Sequence, residues 1–158
     1  MAASFDTRRI ADVLETSVER IEKCSLWYGI PPSISPRPNQ SARKRYSADD
    51  FCRLDMALWL FRAGLRRAAI VDILGDERVR AILRRVRSPQ IIRSIARRSV
   101  FLVVGGFSEG ERRNYQFIRL ERALPRGRHW ESGSVALPMG SWLLGLADHV
   151  EDLTAFRP

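Results

Sequence analysis

The sequence has little of several features that mark particular classes of protein. Only two of its 27 basic residues are lysines, Lys23 and Lys44, and it has only two cysteines, Cys24 and Cys52. Two cysteines cannot form a disulfide framework, and they are typical of a reducing cytoplasm. Apolar runs such as residues 100–104 are too short to span a bilayer, and the N-terminus lacks the apolar core of a secretory signal. We therefore expect a cytoplasmic protein with no membrane partner.

The length and composition are those of a globular protein. A chain of 158 residues is long enough for one ordinary domain or two small ones. It buries roughly 70% of its unfolded surface on folding, so it needs neither a disulfide nor a metal to be stable. Apolar residues make up 45% and charged residues 28%, which excludes disorder throughout the chain.

The charge balance is the first indication of function. The 27 basic and 18 acidic residues give a net charge of +9 and an isoelectric point near 10.8. Residues 75–98 contain eight arginines and two acids, whereas residues 131–158 are acidic overall. The planar fork of arginine suits phosphates and guanine edges, so the surplus is compatible with nucleic-acid binding. A genome rich in G and C would produce the same bias, and both explanations remain open at this point.

Apolar spacing and capping residues predict a helical N-terminal part. The expected helices cover about residues 7–14, 17–27, 47–64, 66–74, 78–87 and 89–98. The first two are separated by a tight turn, which is the layout of a helix-turn-helix. Four prolines within residues 31–45 predict a loop or an extended arm between the second and third helices. Val18, Trp27, Phe61 and Ile91 are among the residues expected to face the core.

The pattern changes after residue 98. Residues 100–104, 115–120 and 134–137 predict short strands, and residues 139–153 predict a final helix. The expected fold class is mostly α with a small α+β C-terminal part, namely a β-hairpin or three-stranded sheet followed by a helix. We divide the chain at residues 75 and 98. Residues 76–98 form an arginine-rich helical connector, and residues 99–158 form a small α/β domain for dimerisation, ligand binding or partner binding.

Several short motifs follow the helices of the first 75 residues in order. Residues 43–50 read Arg-Lys-Arg-Tyr-Ser-Ala-Asp-Asp, residues 29–32 read Gly-Ile-Pro-Pro, and Gly64 and Leu74 continue the spacing. Over residues 5–74 the sequence resembles the MerR-type winged helix-turn-helix family, whose basic-x-Tyr-Ser-x-x-Asp, Gly-Leu-x-Pro and Ile-x-x-Leu patterns these residues match. The resemblance covers under half of the chain. It implies that residues 1–75 are a winged helix-turn-helix domain that binds double-stranded DNA.

The sequence also departs from that family. The recognition helix of the family usually carries Leu-Arg-aromatic-aromatic-Glu, whereas residues 21–25 read Ile-Glu-Lys-Cys-Ser. Base contacts are therefore not carried over from the family. Pro89 interrupts the region where the family has its long dimerisation helix, so a homodimer is expected only as one of several arrangements.

The candidate DNA contacts follow from the way a helix enters the major groove. The first turns of such a helix present side chains to base edges, and a basic loop beside it contacts phosphates. The predicted DNA-binding residues are Arg8, Arg9, Ser17, Arg20, Lys23, Arg37, Arg43, Lys44, Arg45 and Tyr46. Arg20 is the expected guanine reader, and Arg8 and Arg9 neutralise a flanking phosphate. Two of these assignments have a structural alternative to DNA binding. Arg20 and Lys23 could form a solvated helix face paired with Glu19 and Glu22. Tyr46 could pack in the core.

Residues for catalysis are sparse. His129 and His149 are 20 positions apart, and neither lies in a Cys/His cluster with metal-ligand spacing. Cys24 belongs to no recognisable arrangement with a histidine, and residues 105–106 read as a glycine turn and not as a phosphate loop. We expect a protein that is not an enzyme and uses neither a metal nor a cofactor.

The sequence therefore predicts a sequence-specific DNA-binding transcriptional regulator, prokaryotic or phage-borne. One alternative is an accessory protein of DNA packaging or recombination, similar to a small terminase subunit or an excisionase. Another is an adaptor whose arginines in residues 78–98 bind an acidic protein. A small effector or an acidic partner at residues 99–158 is also expected.

Overall fold

Seven helices and five short strands make up the part of the chain that the computed structural model describes, which is residues 4–33, 44–85, 88–97, 101–105, 117–121 and 135–155. In chain order they are β1 (Ser4–Asp6), α1 (Thr7–Val13), α2 (Val18–Trp27), β2 (Arg45–Ser47), α3 (Ala48–Arg62), α4 (Arg67–Gly75), α5 (Glu77–Arg85), α6 (Pro89–Ala96), β3 (Phe101–Gly105), β4 (Phe117–Glu121), β5 (Val135–Pro138) and α7 (Met139–Ala155). The described part is mostly helical, as predicted. None of its helices has the length and apolar content needed to cross a membrane.

The predicted starts of the first three helices are confirmed by their caps. Asp6, Ser17 and Ser47 precede α1, α2 and α3, and each side chain accepts a hydrogen bond from the backbone N–H three residues later. At α3 the reciprocal bond is also present, because the Asp50 carboxylate accepts from the Ser47 N–H at 3.0 Å. The first turn of α3 is therefore a complete capping box.

A two-stranded sheet that the sequence did not predict joins the C-terminal end of the proline-rich segment, residues 31–45, to the start of α1. β1 pairs antiparallel with β2, and Phe5 lies opposite Tyr46. Nη2 of Arg45 donates a hydrogen bond to the Ser4 carbonyl at 2.8 Å. The chain that leaves α2 therefore returns to the start of α1 before α3 begins.

The second sheet confirms the three strands predicted after residue 98. β3 is the central strand and pairs antiparallel with both β4 and β5. Leu102 of β3 is fully buried. β5 ends at Pro138, where α7 begins directly, so the sheet sets the starting position of the last helix.

One apolar core extends through all three of the predicted segments. It includes Ile10 of α1, Ile73 of α4, Ile92 of α6 and Leu146 of α7, all of them fully buried. The core is thus continuous across the predicted boundaries at residues 75 and 98. The long helix α7 lies along α6 and also contacts α1 and α3, which connects the C-terminal part to the N-terminal helices.

Four residues expected in the core lie at the surface instead. Val18, Trp27, Phe61 and Ile91 are between 37% and 45% exposed. Each is at or near the end of its helix, where the neighbouring element no longer covers the apolar stripe. Helical spacing gives the direction of a side chain but not the length of the element that covers it.

Charged contacts attach α7 to three other helices. Arg93 of α6 makes a bidentate ion pair with Glu151, with Nη1–Oε1 2.6 Å apart and Nη2–Oε2 2.8 Å apart, and it also bonds Asp148 at 2.9 Å. Hydrogen bonds to these two carboxylates raise the pKa of Arg93, and Arg93 in turn lowers the pKa of Glu151. The His149 Nδ1 lies 2.9 Å from Oδ2 of the buried Asp55 in α3. The guanidinium of Arg9 in α1 donates to the carbonyl of Asp152.

The contact between His149 and Asp55 makes the stability of the protein pH-dependent. The hydrogen bond to Asp55 raises the pKa of His149 above its ordinary value of 6.5, and the charges of Asp55, Asp152 and Asp148 act in the same direction. The stabilisation is therefore complete below pH 6.5 and is lost as the pH rises through the folded pKa. We expect the free energy of unfolding to decline over this range by at most about 1.4 kcal/mol per pH unit, the limit for one proton. Urea unfolding at a series of pH values measures this decline.

Two variants test which histidine causes the decline of the free energy of unfolding with rising pH. His149→Asn should flatten the decline, and His129→Asn, which replaces the other histidine of the chain, tests whether the decline belongs to His149 alone. Parallel curves for wild type and His149→Asn would show that the contact with Asp55 does not carry the pH dependence.

The capping box of α3 gives a second prediction. Ser47→Ala removes the hydroxyl that accepts from the Asp50 N–H, which costs about 1 kcal/mol of unfolding free energy. The matched control is Ser94→Ala at an exposed position inside α6, which should change stability by less than about 0.5 kcal/mol. Equal midpoints of urea unfolding for the two variants would contradict a stabilising cap.

Candidate nucleic-acid interface

One side of α2 is exposed to solvent along its whole length. Glu19, Glu22, Lys23 and Leu26 follow the i, i+3, i+4, i+7 spacing, so they form one stripe on the helix. All four are exposed, and Leu26 is 77% exposed although it is a large apolar residue. We call these four residues the α2 outer face. The opposite side of the helix, which includes Ile21, is buried in the core.

Basic residues from two other elements lie beside the α2 outer face. Nζ of Lys44, the residue before β2, is 2.9 Å from Oε1 of Glu22. Arg8 of α1 and Val18 line a small groove of about 260 Å³ together with Glu22 and Lys44. We call residues 43–45, of sequence Arg-Lys-Arg, the basic segment. One surface therefore includes the start of α1, the exposed side of α2 and Lys44 of the basic segment.

The charges of the α2 outer face are paired with each other and with Lys44. Nζ of Lys23 is 2.6 Å from Oε1 of Glu19, which confirms the pairing considered in the sequence. The hydrogen bond to Lys23 lowers the pKa of Glu19, and the hydrogen bond to Glu22 raises the pKa of Lys44. Exposed ion pairs of this kind are weak and are screened by salt, so each lysine can exchange its carboxylate for another anion.

Arg20 is not part of the exposed stripe. Its guanidinium lies over the ring of Phe61 in α3, 4.5 Å from the ring centroid, which is the geometry of a cation–π contact. The hydroxyl of Ser17 accepts from the Arg20 N–H and caps the helix. This arrangement favours structural roles for both residues over the predicted reading of guanine by Arg20.

The remaining predicted contacts are distributed unevenly. Tyr46 is only 1% exposed, so it belongs to the core and has almost no surface for a phosphate. Arg9 is partly exposed and Arg45 is exposed, but they bond the backbone carbonyls of Asp152 and Ser4, respectively. Arg8, Lys23 and Lys44 lie at the shared surface. Arg37 and Arg43 are outside the described residues.

Several arginines have a structural role that sequence reasoning missed. Four of them donate to carbonyl oxygens at the C-terminal ends of helices, where carbonyls lack partners within the helix and a positive charge is favourable. The donors and acceptors are Arg9 with Asp152, Arg62 with Leu14, Arg67 with Trp27, and Arg80 with Leu74. The partners in the first three pairs are 40 or more positions apart in the sequence, so no local pattern indicates them.

The arginine-rich helices are also engaged within the chain. Arg78 pairs with Asp76 at 2.9 Å, Arg84 pairs with Glu77, and Arg93 pairs with the acidic side chains of α7. These contacts use the same carboxylate chemistry that an acidic partner protein would offer. Fewer guanidiniums are therefore available for such a partner than the sequence suggested.

The described residues contain little that suggests catalysis. Burial raises the pKa of the thiols of Cys24 and Cys52, which makes both of them weak nucleophiles. Within the described ranges, no group of three or more His, Cys, Asp and Glu side chains is placed to hold a metal ion. His149, which the sequence did not connect with any partner, bonds Asp55.

Comparison with known proteins does not extend these observations. No protein-family model matches the chain, and a search of curated proteins finds no match. The resemblance of residues 5–74 to the MerR-type family therefore stays a prediction, and the case for function depends on the surface described above.

Proposed function

We propose that the protein binds double-stranded DNA with the α2 outer face in the major groove and acts as a sequence-specific transcriptional regulator. The proposal includes a winged helix-turn-helix of the MerR type in the first 75 residues. The observation that carries it is the 2.9 Å contact between Lys44 and Glu22. This contact shows that Lys44 of the basic segment lies beside an exposed helix. In such an arrangement the helix could read bases while the basic residues contact phosphates.

The dimensions of α2 suit this role. Ten residues make a helix about 15 Å long, and a single exposed helix fits the major groove of B-DNA. The helix is also held firmly from behind. Ile21 and Cys24 are buried, and Oγ of Ser25 donates to the Ile30 carbonyl at 2.7 Å just past the C-terminal end. A binding helix fixed in this way loses little conformational entropy when DNA docks.

The flanking cations supply the attraction that α2 lacks. The α2 outer face carries two carboxylates and one ammonium, so it does not attract DNA by itself. Arg8 and Lys44 lie together at the groove beside Glu22, and Arg45 follows Lys44 in the chain. Phosphate contacts from these cations would fix the position of the helix in the groove, and base contacts would then provide specificity.

The alternative functions draw less support from the structure. DNA packaging or recombination would use the same surface, and no separate observation favours either. An adaptor that binds an acidic protein would need the arginines of α5 and α6, and three of these are paired within the chain.

Salt dependence tests the electrostatic part of the proposal. Fragments selected from sheared genomic DNA by the purified full chain give the duplex, and fluorescence anisotropy gives its affinity at several salt concentrations. The logarithm of the binding constant should fall with the logarithm of salt concentration, by about 0.9 for each phosphate neutralised. Lys44→Gln and Arg8→Gln should each lower the slope by about one and weaken binding to all duplexes alike.

The control for these variants is Arg97→Gln, which removes an exposed arginine of the α6 C-terminus and should leave the slope unchanged. A flat salt dependence of the wild type would overturn the proposal. Equal binding of selected and random fragments would overturn sequence specificity while leaving DNA binding intact.

A further inference from the structure

We infer that the α2 outer face reads the exocyclic amino groups of cytosine and adenine through Glu19 and Glu22, with Leu26 contacting a thymine methyl group. This inference rests on the proposed function and adds the class of bases that the surface recognises. It replaces the reading of guanine that the arginine content of the sequence suggests.

The chemistry of the two carboxylates sets the preference. An ionised carboxylate only accepts hydrogen bonds. The ion pair with Lys23, with Nζ 2.6 Å from Oε1, lowers the pKa of Glu19 and so favours this ionised form. In the major groove, cytosine N4 and adenine N6 are the amino donors, whereas guanine and thymine present acceptors to a carboxylate. Two acceptors on one exposed stripe therefore match base pairs whose amino groups face the helix.

Electrostatic repulsion also favours pointing the carboxylates of Glu19 and Glu22 at the bases. A carboxylate near the DNA backbone is repelled by phosphates, so a groove-bound helix that carries Glu19 and Glu22 must direct them to the bases. Lys23 and Lys44 each bond one of these carboxylates in the unbound protein. The longer lysine side chains can exchange these partners for phosphates and leave the carboxylate oxygens to the amino groups.

In the described structure, Arg20 is not placed to recognise guanine. Arg20 is the sole arginine in α2, and its guanidinium is stacked on Phe61. The bidentate fork that recognises guanine N7 and O6 is therefore missing from the α2 outer face. A preference for guanine would require Arg20 to leave its aromatic partner.

Leu26 extends the site along the groove. Its position seven residues after Glu19 places the two about 10.5 Å apart along the helix, close to three base-pair steps. A leucine that is 77% exposed has lost little water in the free protein, so covering it with a thymine methyl group is favourable. The stripe then recognises amino-bearing bases and a thymine within three to four base pairs.

The test is a selection from duplexes randomised over 20 base pairs, performed with the full-length wild type and with Glu22→Gln, Glu19→Gln and Leu26→Ala. The wild type should select defined base pairs at two neighbouring positions, contacted by Glu19 and Glu22, and a T·A pair at a third position, contacted by Leu26. Glutamine both donates and accepts and pairs with adenine N6 and N7, so Glu22→Gln should shift a cytosine preference to adenine by about tenfold. Leu26→Ala should abolish the thymine preference and keep the others.

Controls separate a change of specificity from a loss of fold. Glu77→Gln makes the same chemical change at an exposed position on α5 and should leave the selected sequences unchanged. Thermal unfolding confirms that each variant is folded, and Glu19→Gln provides a second, independent test if Glu22→Gln is unstable. Failure of the wild type to enrich any duplex would overturn the proposed function itself. Selected sequences that are the same in both glutamine variants as in the wild type would overturn only the present inference.

Discussion

Helix α3 is the element on which the rest of the structure depends. Eight of its 15 residues are buried, and it contacts α2, α4, α5, α7 and β2. One of the buried residues is Asp55, a carboxylate that is costly to place in a core without a partner. His149 of α7 provides that partner. The burial of α3 thus has two requirements. Its apolar side chains need apolar neighbours, which the surrounding helices provide. Its buried carboxylate needs a hydrogen-bond partner, which among the described elements only α7 provides.

The same helix determines where the candidate interface lies. α2 packs one side against α3, and this packing leaves the α2 outer face in solvent. The aromatic ring of Phe61 near the end of α3 then takes up Arg20, which keeps a guanidinium away from the exposed stripe. At the other end of α3, Ser47 caps the helix and also ends β2, so the start of α3 fixes the return point of the basic segment. Both features that define the candidate site therefore depend on the position of one buried helix.

The basic residues of the chain have several different roles. The composition suggests a uniformly basic protein, but several arginines bond helix C-termini or carboxylates of the same chain. Arg93 illustrates the point, because it joins α6 to the acidic end of α7. A net charge of +9 sets the long-range attraction to a polyanion, and it does not say which side chains touch one. The cations at the candidate interface, Lys44 and Arg8 among them, are a small part of the total.

Local features of the sequence were sufficient for much of the fold. The cap at Ser47 acts over three residues, and the periodicity of the helices and the β-branched run at residues 100–104 act within one element, so these features were predicted correctly. At the first two helices the sequence left two adjacent caps open, Asp6 or Thr7 and Thr16 or Ser17, and the structure has Asp6 and Ser17. The short strands β1 and β2 were not predicted, because three residues are too few to show alternation and their pairing joins positions 39 to 43 apart. For the candidate site, the sequence identified α2 and the basic segment. It did not show that Tyr46 is buried.

The sequence by itself determined the helices, the three strands after residue 98 and the excess of positive charge, because these properties arise from neighbouring residues or from simple addition. Tertiary structure alone decided which charged side chains are paired within the chain and which remain available to bind another molecule. Asp55 meets His149 across 94 positions, Arg93 meets Glu151 across 58, and Arg9 meets the carbonyl of Asp152 across 143. Such pairs form only when packing of the apolar faces brings distant helices together, and no spacing rule within a single element describes that packing.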